Sequence, residues 1–171
     1  MSKDSLQTVF QGRLLHCLVK TTTLPNGHTV RLEIVKHNGA VLMVPFLSRD
    51  RVIILRQFRA VIGRYIYEFP AGTLERNERP IDCARRELIE ETGYAGKKFT
   101  RIGSIFPVPG YSTEVITMYK AEGLTRCARI PEQDEVIRTQ IKTAAEVRRL
   151  FKKGMIVDAK SICALAMCGI I

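Results

Sequence analysis

Apolar and polar positions along the chain follow two rhythms, and their order predicts a mixed α and β domain. Residues 12–20 are apolar-rich, and residues 29–36 resume the pattern after Leu24-Pro25-Asn26-Gly27-His28. That intervening sequence is a strong turn signal, so the two segments are expected to form a hairpin. Residues 40–47 and 51–58 read as a second pair of strands, joined through Ser48-Arg49-Asp50. Tyr65, Tyr67 and Phe69 alternate as a strand would, and Pro70-Ala71-Gly72 ends that strand in a tight turn. The rhythm then changes. Ile81, Ala84 and Leu88 recur at helical spacing through residues 81–92, with Pro80 suited to the first turn and Gly93 to the stop. Further strands are expected at 100–106, 114–121 and 135–141, and helices at 143–152 and 158–167. No internal repeat or low-complexity linker interrupts the order, which suits a mixed sheet between helices. Patterning alone supports an α/β or α+β class and no finer fold.

The helical segment also carries the candidate chemistry. Residues 72–94 read GTLERNERPIDCARRELIEETGY. On a helix, Glu87 and Glu91 lie one above the other, with Glu90 on the adjoining flank. Carboxylates crowded this closely repel one another unless something positive sits between them. Oxygen donors gathered in this way suit Mg²⁺ or Mn²⁺, and the absence of nearby His argues against zinc. The helix by itself also reads as a solvated acidic face neutralised by Arg85 and Arg86. The Pro-Ala-Gly turn tips the balance toward a metal site, because a backbone carbonyl at such a turn can serve as a hard-metal ligand.

Length and composition set limits on this reading. The chain has 171 residues, 46% of them apolar, enough for one filled domain over 1–171 and too apolar for disorder. The amino-terminal MSKDSLQTVFQG has no signal-peptide core, and no apolar run reaches the roughly 18 residues needed to span a membrane. Residues 161–171 come nearest and read better as a packed terminal helix. Five dispersed cysteines without a C-x-x-C point to reduced thiols and a cytoplasmic location. The net charge of +10 is unevenly divided: residues 72–94 hold four basic and six acidic side chains, the remainder 23 and 11. An acidic pocket in a basic protein suits a metal-assisted reaction on a phosphorylated anion. Nucleic acid could use the same field. With no zinc finger, RNA-binding aromatic motif or dense basic run, no stable nucleic-acid partner is expected.

Residues 72–94 resemble the signature of the Nudix hydrolases, G-x5-E-x7-R-E-U-x-E-E-x-G-U, where U is bulky and apolar. They agree at all nine fixed positions: Gly72, Glu78, Arg86, Glu87, Leu88, Glu90, Glu91, Gly93 and Tyr94. Most of the remaining chain is similar to the ADP-ribose pyrophosphatase-like branch of that family. The matching segments are Val35-Lys36-His37-Asn38-Gly39-Ala40-Val41, Leu55-Arg56-Gln57-Phe58-Arg59, Tyr67-Glu68-Phe69-Pro70-Ala71-Gly72, Pro109-Gly110-Tyr111-Ser112-Thr113-Glu114 and Gly154-Met155-Ile156-Val157-Asp158-Ala159-Lys160.

This resemblance implies the Nudix fold, a mixed sheet sandwiched between helices, with a strand-rich extension over residues 1–37. In the branch, that extension is exchanged between the subunits of a homodimer and helps recognise substrate. The implied reaction is metal-dependent hydrolysis of the diphosphate in ADP-ribose, giving AMP and ribose 5-phosphate, with Mg²⁺ as cofactor and Mn²⁺ as an alternative. The implied metal ligands are the Ala71 carbonyl, Glu87 and Glu91, with Glu90 as a further ligand or water contact. Arg56 and Arg59 are candidates for the diphosphate and terminal ribose, since guanidinium forks suit phosphate oxygens. Glu68, Pro109, Gly110 and Tyr111 join them as substrate-site candidates. Glu78 braces the motif, and Arg86 orients the neighbouring carboxylates through a salt bridge.

Two roles stay open in the sequence. In the related enzymes an acidic loop before the last core strand supplies a glutamate as general base, and the resemblance places that loop here at Pro131-Glu132-Gln133-Asp134-Glu135-Val136-Ile137. Glu135 is the nearest match, and Gln133 stands where some relatives carry the acidic residue. Glutamine is no useful proton acceptor at neutral pH. Either Glu135 supplies the role, Glu132 swings in, or a metal-bound water depends mainly on the helix carboxylates. For the base, Arg31 is the candidate from the extension, but the branch often places arginine directly before the glutamate, where Leu32 precedes Glu33. By strand alternation Arg31 then faces the other side, which opens the reading to another nucleoside diphosphate sugar such as GDP-mannose, ADP-glucose or a UDP sugar. Phe10 and Tyr111 are aromatic candidates for stacking. The competing class is a catalytically inactive nucleotide-binding module.

Overall fold

The computed structural model describes residues 5–128 and 136–171. In chain order the elements are β1 (Ser5–Gln11), β2 (His16–Thr23), β3 (Thr29–Lys36), β4 (Ala40–Pro45), β5 (Arg51–Arg59), a short 3-10 turn (Ala60–Ile62), β6 (Arg64–Glu68) and β7 (Ala71–Thr73). They continue with α1 (Pro80–Thr92), β8 (Tyr94–Ala95), β9 (Lys98–Ile105), β10 (Ile116–Glu122), β11 (Thr125–Arg126), β12 (Ile137–Thr143), α2 (Ala144–Lys152) and α3 (Ala159–Met167).

Strands β1, β2 and β3 form an antiparallel sheet in that order. The β2–β3 hairpin turns at the expected place, with Gly27 at φ +85° and its N–H donating to the Leu24 carbonyl at 2.9 Å. The strand expected over 12–20 needs correction. The Gly12 N–H donates to the Leu15 carbonyl at 2.8 Å and closes a turn, so β1 ends before it and β2 begins after it. Leu14 and Leu15 gave the segment its apolar look, yet both are exposed, Leu14 at 78%.

The pairing expected between 40–47 and 51–58 is also corrected. β4 lies inside the order β7-β4-β10-β9, parallel to β10, whereas β5 lies inside the antiparallel order β12-β5-β6. Between these two segments there is one isolated bridge among the described residues, from Phe46, just after β4, to Val52 of β5. Their composition explains why. Every residue of β4 is buried, as are Val52 to Leu55 of β5. A strand apolar on both faces is most stable as the interior strand of a covered sheet, so each takes two neighbours of its own.

Alternation along β4 splits the interior in two. Val41 and Met43 pack against Cys83, Ala84 and Leu88 of α1. Leu42 and Val44 meet Val52 and Ile54 of β5 together with Val147, Ala164 and Leu165 of α2 and α3. Each fully buried Leu or Ile contributes about 1.5–3 kcal/mol relative to exposure. The expected mixed sheet between helices is the observed arrangement. The helix ends are chemically defined. Thr143 and Glu146 form a reciprocal capping box on α2, and the Asp158 carboxylate caps α3 by accepting from the Ser161 N–H at 3.0 Å. Among the described residues, no helix is long and apolar enough to cross a membrane.

Candidate active site

Helix α1 presents two different faces, and the chemistry sits at their boundary. Cys83, Ala84 and Leu88 are buried against β4, which fixes the rotation of the helix about its axis. Gly93 ends it in the left-handed region at φ +73°, with its N–H on the Ile89 carbonyl at 2.8 Å. That rotation turns Glu91 inward and Glu87 toward the β6–β7 turn. Glu91 is 3% exposed and accepts the Ala71 N–H at 2.8 Å. Glu87 lies directly over Gly72: a Cβ built there would stand 1.9 Å from the Glu87 carboxyl carbon. Glycine is needed here for close approach.

Arg86 ties the acidic residues together. Its Nε and one Nη2 proton donate to the two oxygens of Glu78, each at 3.0 Å. Its Nη1 donates to Glu87 Oε1 at 2.7 Å and to Glu90 Oε2 at 3.0 Å. Glu78 also accepts the Glu75 N–H at 2.9 Å, so it braces the loop before α1 as well as the guanidinium. The hydrogen bonds from Arg86 hold the Glu78 carboxyl down at about 2, and the same bonds raise Arg86 above its ordinary value. Cys83 turns its thiol to the Thr73 carbonyl at 3.6 Å, and burial pushes it up to about 12, so it stays protonated.

The donor set fits a hard divalent cation. Glu87, Glu90, Glu91 and the Ala71 carbonyl offer only oxygen, and the glycine lets a carboxylate approach the turn closely. Among the described residues, no three Asp, Glu, His or Cys side chains stand as a ready-made cation cage. Arg86 supplies the positive charge between Glu87 and Glu90.

The two strand arginines are separated by the pleat. Arg56 and Arg59 lie three residues apart on β5 and leave from opposite faces. Arg56 stacks over the Tyr65 ring at 4.1 Å, and Tyr65 meets Phe58 edge-on at 5.2 Å between centroids. Arg59 instead forks onto Glu68, with Nε to Oε1 at 2.8 Å and Nη2 to Oε2 at 2.7 Å. Those bonds hold Arg59 above its usual value, and the charges of Glu91 and Asp158 add to the effect. Glu68 is 1% exposed and also accepts Lys160 Nζ at 2.9 Å. Lys160 and Asp158 had no sequence-based role, although both belong to the segment resembling the branch's carboxy terminus. The available signal was Asp158 three residues before Ser161, a helix-capping spacing with a lysine inside it.

The Pro109-Gly110-Tyr111 loop is pinned to the end of β3. Val35 donates to the Tyr111 carbonyl at 2.7 Å, and the Thr113 N–H returns to the Val35 carbonyl at 3.1 Å. The structure brings Arg31, Glu33 and Tyr111 to one groove of about 460 Å³, bordered also by Val9, Cys17 and Val19. Thr139, not singled out in the sequence, donates its hydroxyl to the Glu91 carbonyl at 3.3 Å and joins β12 to the end of α1. Glu132, Gln133 and Glu135 lie outside the described residues.

Residues 36–163 match the NUDIX domain family. Over 161 residues the chain is 35% identical to an ADP-ribose pyrophosphatase of Bacillus subtilis (strain 168), covering 93% of this chain and 87% of that one. It is 34% identical, with the same coverage, to the methanol dehydrogenase activator of Bacillus methanolicus. A crystal structure of an ADP compounds hydrolase superposes with a TM-score of 0.83 at 22% identity, covering 98% of this chain and 93% of the other, a likeness of fold.

Proposed function

This chain belongs to the Nudix hydrolase family, and we propose that it hydrolyses the diphosphate linkage of a nucleoside diphosphate sugar, with ADP-ribose as its first substrate. The products are then AMP and ribose 5-phosphate. The observation that carries the reading is the joining of Glu87, Glu90 and Arg86 over Gly72, beside the buried Glu91 on the Ala71 amide. Similarity to diphosphate-sugar hydrolases supports the general class of substrate.

In this reading Ala71, Glu87, Glu90 and Glu91 hold Mg²⁺, with Mn²⁺ as a substitute. When bound, the cation neutralises diphosphate charge and makes a coordinated water more acidic. The chain's own groups do the rest. Arg86 keeps the carboxylates in register. Arg59 offers the N–H groups not used on Glu68 to diphosphate oxygens, and Arg56 extends the positive field along β5. The groove between β3 and the Pro109-Gly110-Tyr111 loop receives the nucleoside, with Tyr111 available to stack and Arg31 to donate. Glu135 takes the proton from the attacking water as the phosphorus–oxygen bond breaks. A second specificity, for another nucleoside diphosphate sugar such as GDP-mannose or ADP-glucose, is favoured by one feature: Leu32 precedes Glu33 where the branch often carries arginine.

The test is turnover with Mg²⁺ on a panel of ADP-ribose, ADP-glucose, GDP-mannose, UDP-glucose, diadenosine polyphosphates and nucleoside triphosphates. ADP-ribose should give the highest kcat/KM. A preference for triphosphates of more than about tenfold overturns the substrate. Inactivity on the whole panel favours a binding module.

A further inference from the structure

We propose that Lys160 and Asp158, at the start of α3, are positioning residues that hold the Arg59 guanidinium at the diphosphate by clamping Glu68. This inference rests on the functional reading above, and it assigns a part in substrate binding to a helix 92 residues further along the chain.

Glu68 is almost fully buried, so its charge must be answered by partners inside the protein. Arg59 answers it from β5 with a two-point fork. Lys160 answers it from α3, with Nζ 2.9 Å from Oε2. Lys160 is itself fixed by Asp158 Oδ1 at 2.8 Å. The other Asp158 oxygen accepts the Ser161 amide at 3.0 Å and the Ser161 hydroxyl at 2.6 Å. The Ser161 hydroxyl oxygen in turn accepts the N–H of Phe69 at 2.9 Å. Phe69 is the residue after Glu68, so the chain of contacts closes on the strand end where it began. Both the carboxylate and its backbone are therefore tied to the same helix end.

The consequence for Arg59 follows from guanidinium geometry. Its five N–H groups lie in one plane, and the fork onto Glu68 uses Nε and Nη2. Fixing Glu68 fixes that plane, and with it the direction of the N–H groups turned away from the fork. The side chain keeps 41% of its surface exposed, so that outer edge is open to an incoming anion. Lys160 has a second effect. A buried Glu68 paired with Arg59 alone would cancel the charge that the diphosphate needs. Lys160 shares the carboxylate, so Arg59 keeps more of its field for the substrate, and Asp158 holds Lys160 in that place.

The experiment is a double-mutant cycle on ADP-ribose hydrolysis at saturating Mg²⁺, using wild type, Lys160→Met, Arg59→Ala and the double variant. Thermal melting and Mg²⁺-binding calorimetry are run on the same preparations. Lys160→Met is expected to raise KM about tenfold while kcat stays within about threefold, and Lys160→Arg to recover most of that loss. In the Arg59→Ala background, Lys160→Met should add less than about twofold to the loss in kcat/KM. Mg²⁺ affinity should not change. Should Lys160→Met melt too low to assay, Asp158→Asn is read through the same cycle. An undiminished effect in the Arg59→Ala background, or a wild-type KM in the Lys160 and Asp158 variants, overturns the clamp. Both outcomes leave the substrate reading standing, because wild type still turns over. A wild-type chain that neither hydrolyses nor binds any nucleoside diphosphate sugar overturns the functional reading and this inference together.

Discussion

Gly72→Ala is the sharpest test of the carboxylate site because it adds one methyl group at a known place. The new Cβ would stand 1.9 Å from both the carboxyl carbon and Oε1 of Glu87, and 2.4 Å from Cγ. Carbon atoms in contact prefer about 3.5–4.0 Å, so the carboxylate must retreat by roughly 1.5 Å. The backbone does not resist the change, since Gly72 is not among the glycines with positive φ. Relief is therefore by rotation of the whole Glu87 side chain, at a cost of about 0.5–1.5 kcal/mol in rotamer strain and about 1.5–3 kcal/mol more for the charged hydrogen bond given up. That movement breaks the 2.7 Å bond from Arg86 and carries a proposed metal ligand beyond the tolerance of about 0.5 Å for a productive site. Misplacement on the order of 1 Å costs about 10²-fold in rate, or about 2.7 kcal/mol of barrier. The variant should fold but melt several degrees below wild type, lose about 10²-fold in kcat/KM on ADP-ribose, and bind Mg²⁺ more weakly by calorimetry. Near-normal turnover would show that the position of Glu87 does not matter to the reaction. Gross unfolding would show that the clash is carried by the strand and not by the side chain.

Glu87→Gln and Glu91→Gln should each keep the fold while losing about 10²-fold in activity and weakening Mg²⁺ binding in parallel; normal turnover of both at saturating Mg²⁺ would mean the site is elsewhere. Glu78 gives a pH signature: its folded value of about 2 lies below the reference 4.5, so the stability it contributes is complete above 4.5 and is lost as pH falls toward 2. The melting-temperature gap between wild type and Glu78→Gln should close across that window, and a gap independent of pH would remove the Arg86–Glu78 pairing from the account. Glu135→Gln should depress kcat more than it raises KM, with Glu132→Gln as the matched control; loss in the Glu132 variant alone would shift the assignment within that loop. The chain should sediment at about twice its 19.3 kDa mass, because among the described residues the edge strand β1 exposes Leu6, Val9 and Phe10. Removal of residues 1–37 should then abolish nucleotide-sugar binding, and a fully active monomer would overturn the dimer.

The parts of the site that were legible in the sequence are those whose logic is local. Pro80, the Ile81, Ala84 and Leu88 stripe and Gly93 mark one helix, and the helix period brings Glu87, Glu90 and Glu91 to one side of it. The Asn26-Gly27 turn is equally local. What the sequence hid was partner choice. β4 and β5 are apolar on both faces, so neither carries the alternation that would distinguish a neighbour in the same sheet from a strand across the core. The parallel partner of β4 is β10, with Ala40 opposite Ile116, and nothing near either residue announces the other.

The same division runs through the chemistry. A ligand set confined to one helix leaves a signature because spacing and geometry are the same thing there. The Arg59, Glu68 and Lys160 group has no such spacing, since its members come from β5, β6 and α3 and meet only after the β12-β5-β6 sheet and α3 have docked on the same core. The resemblance marks Glu68 as a substrate-site candidate, but its burial is silent in the sequence, where glutamate between tyrosine and phenylalanine reads as one exposed position of an alternating strand. Burial inverts its meaning. Once water is removed, the charge demands partners strongly enough to recruit cations from the neighbouring strand and from a distant helix. The helix can therefore name the metal ligands, while the orientation of the arginine beside them depends on long-range packing. This is why Lys160→Met and Gly72→Ala should fail in different ways, the first in KM and the second in the metal site.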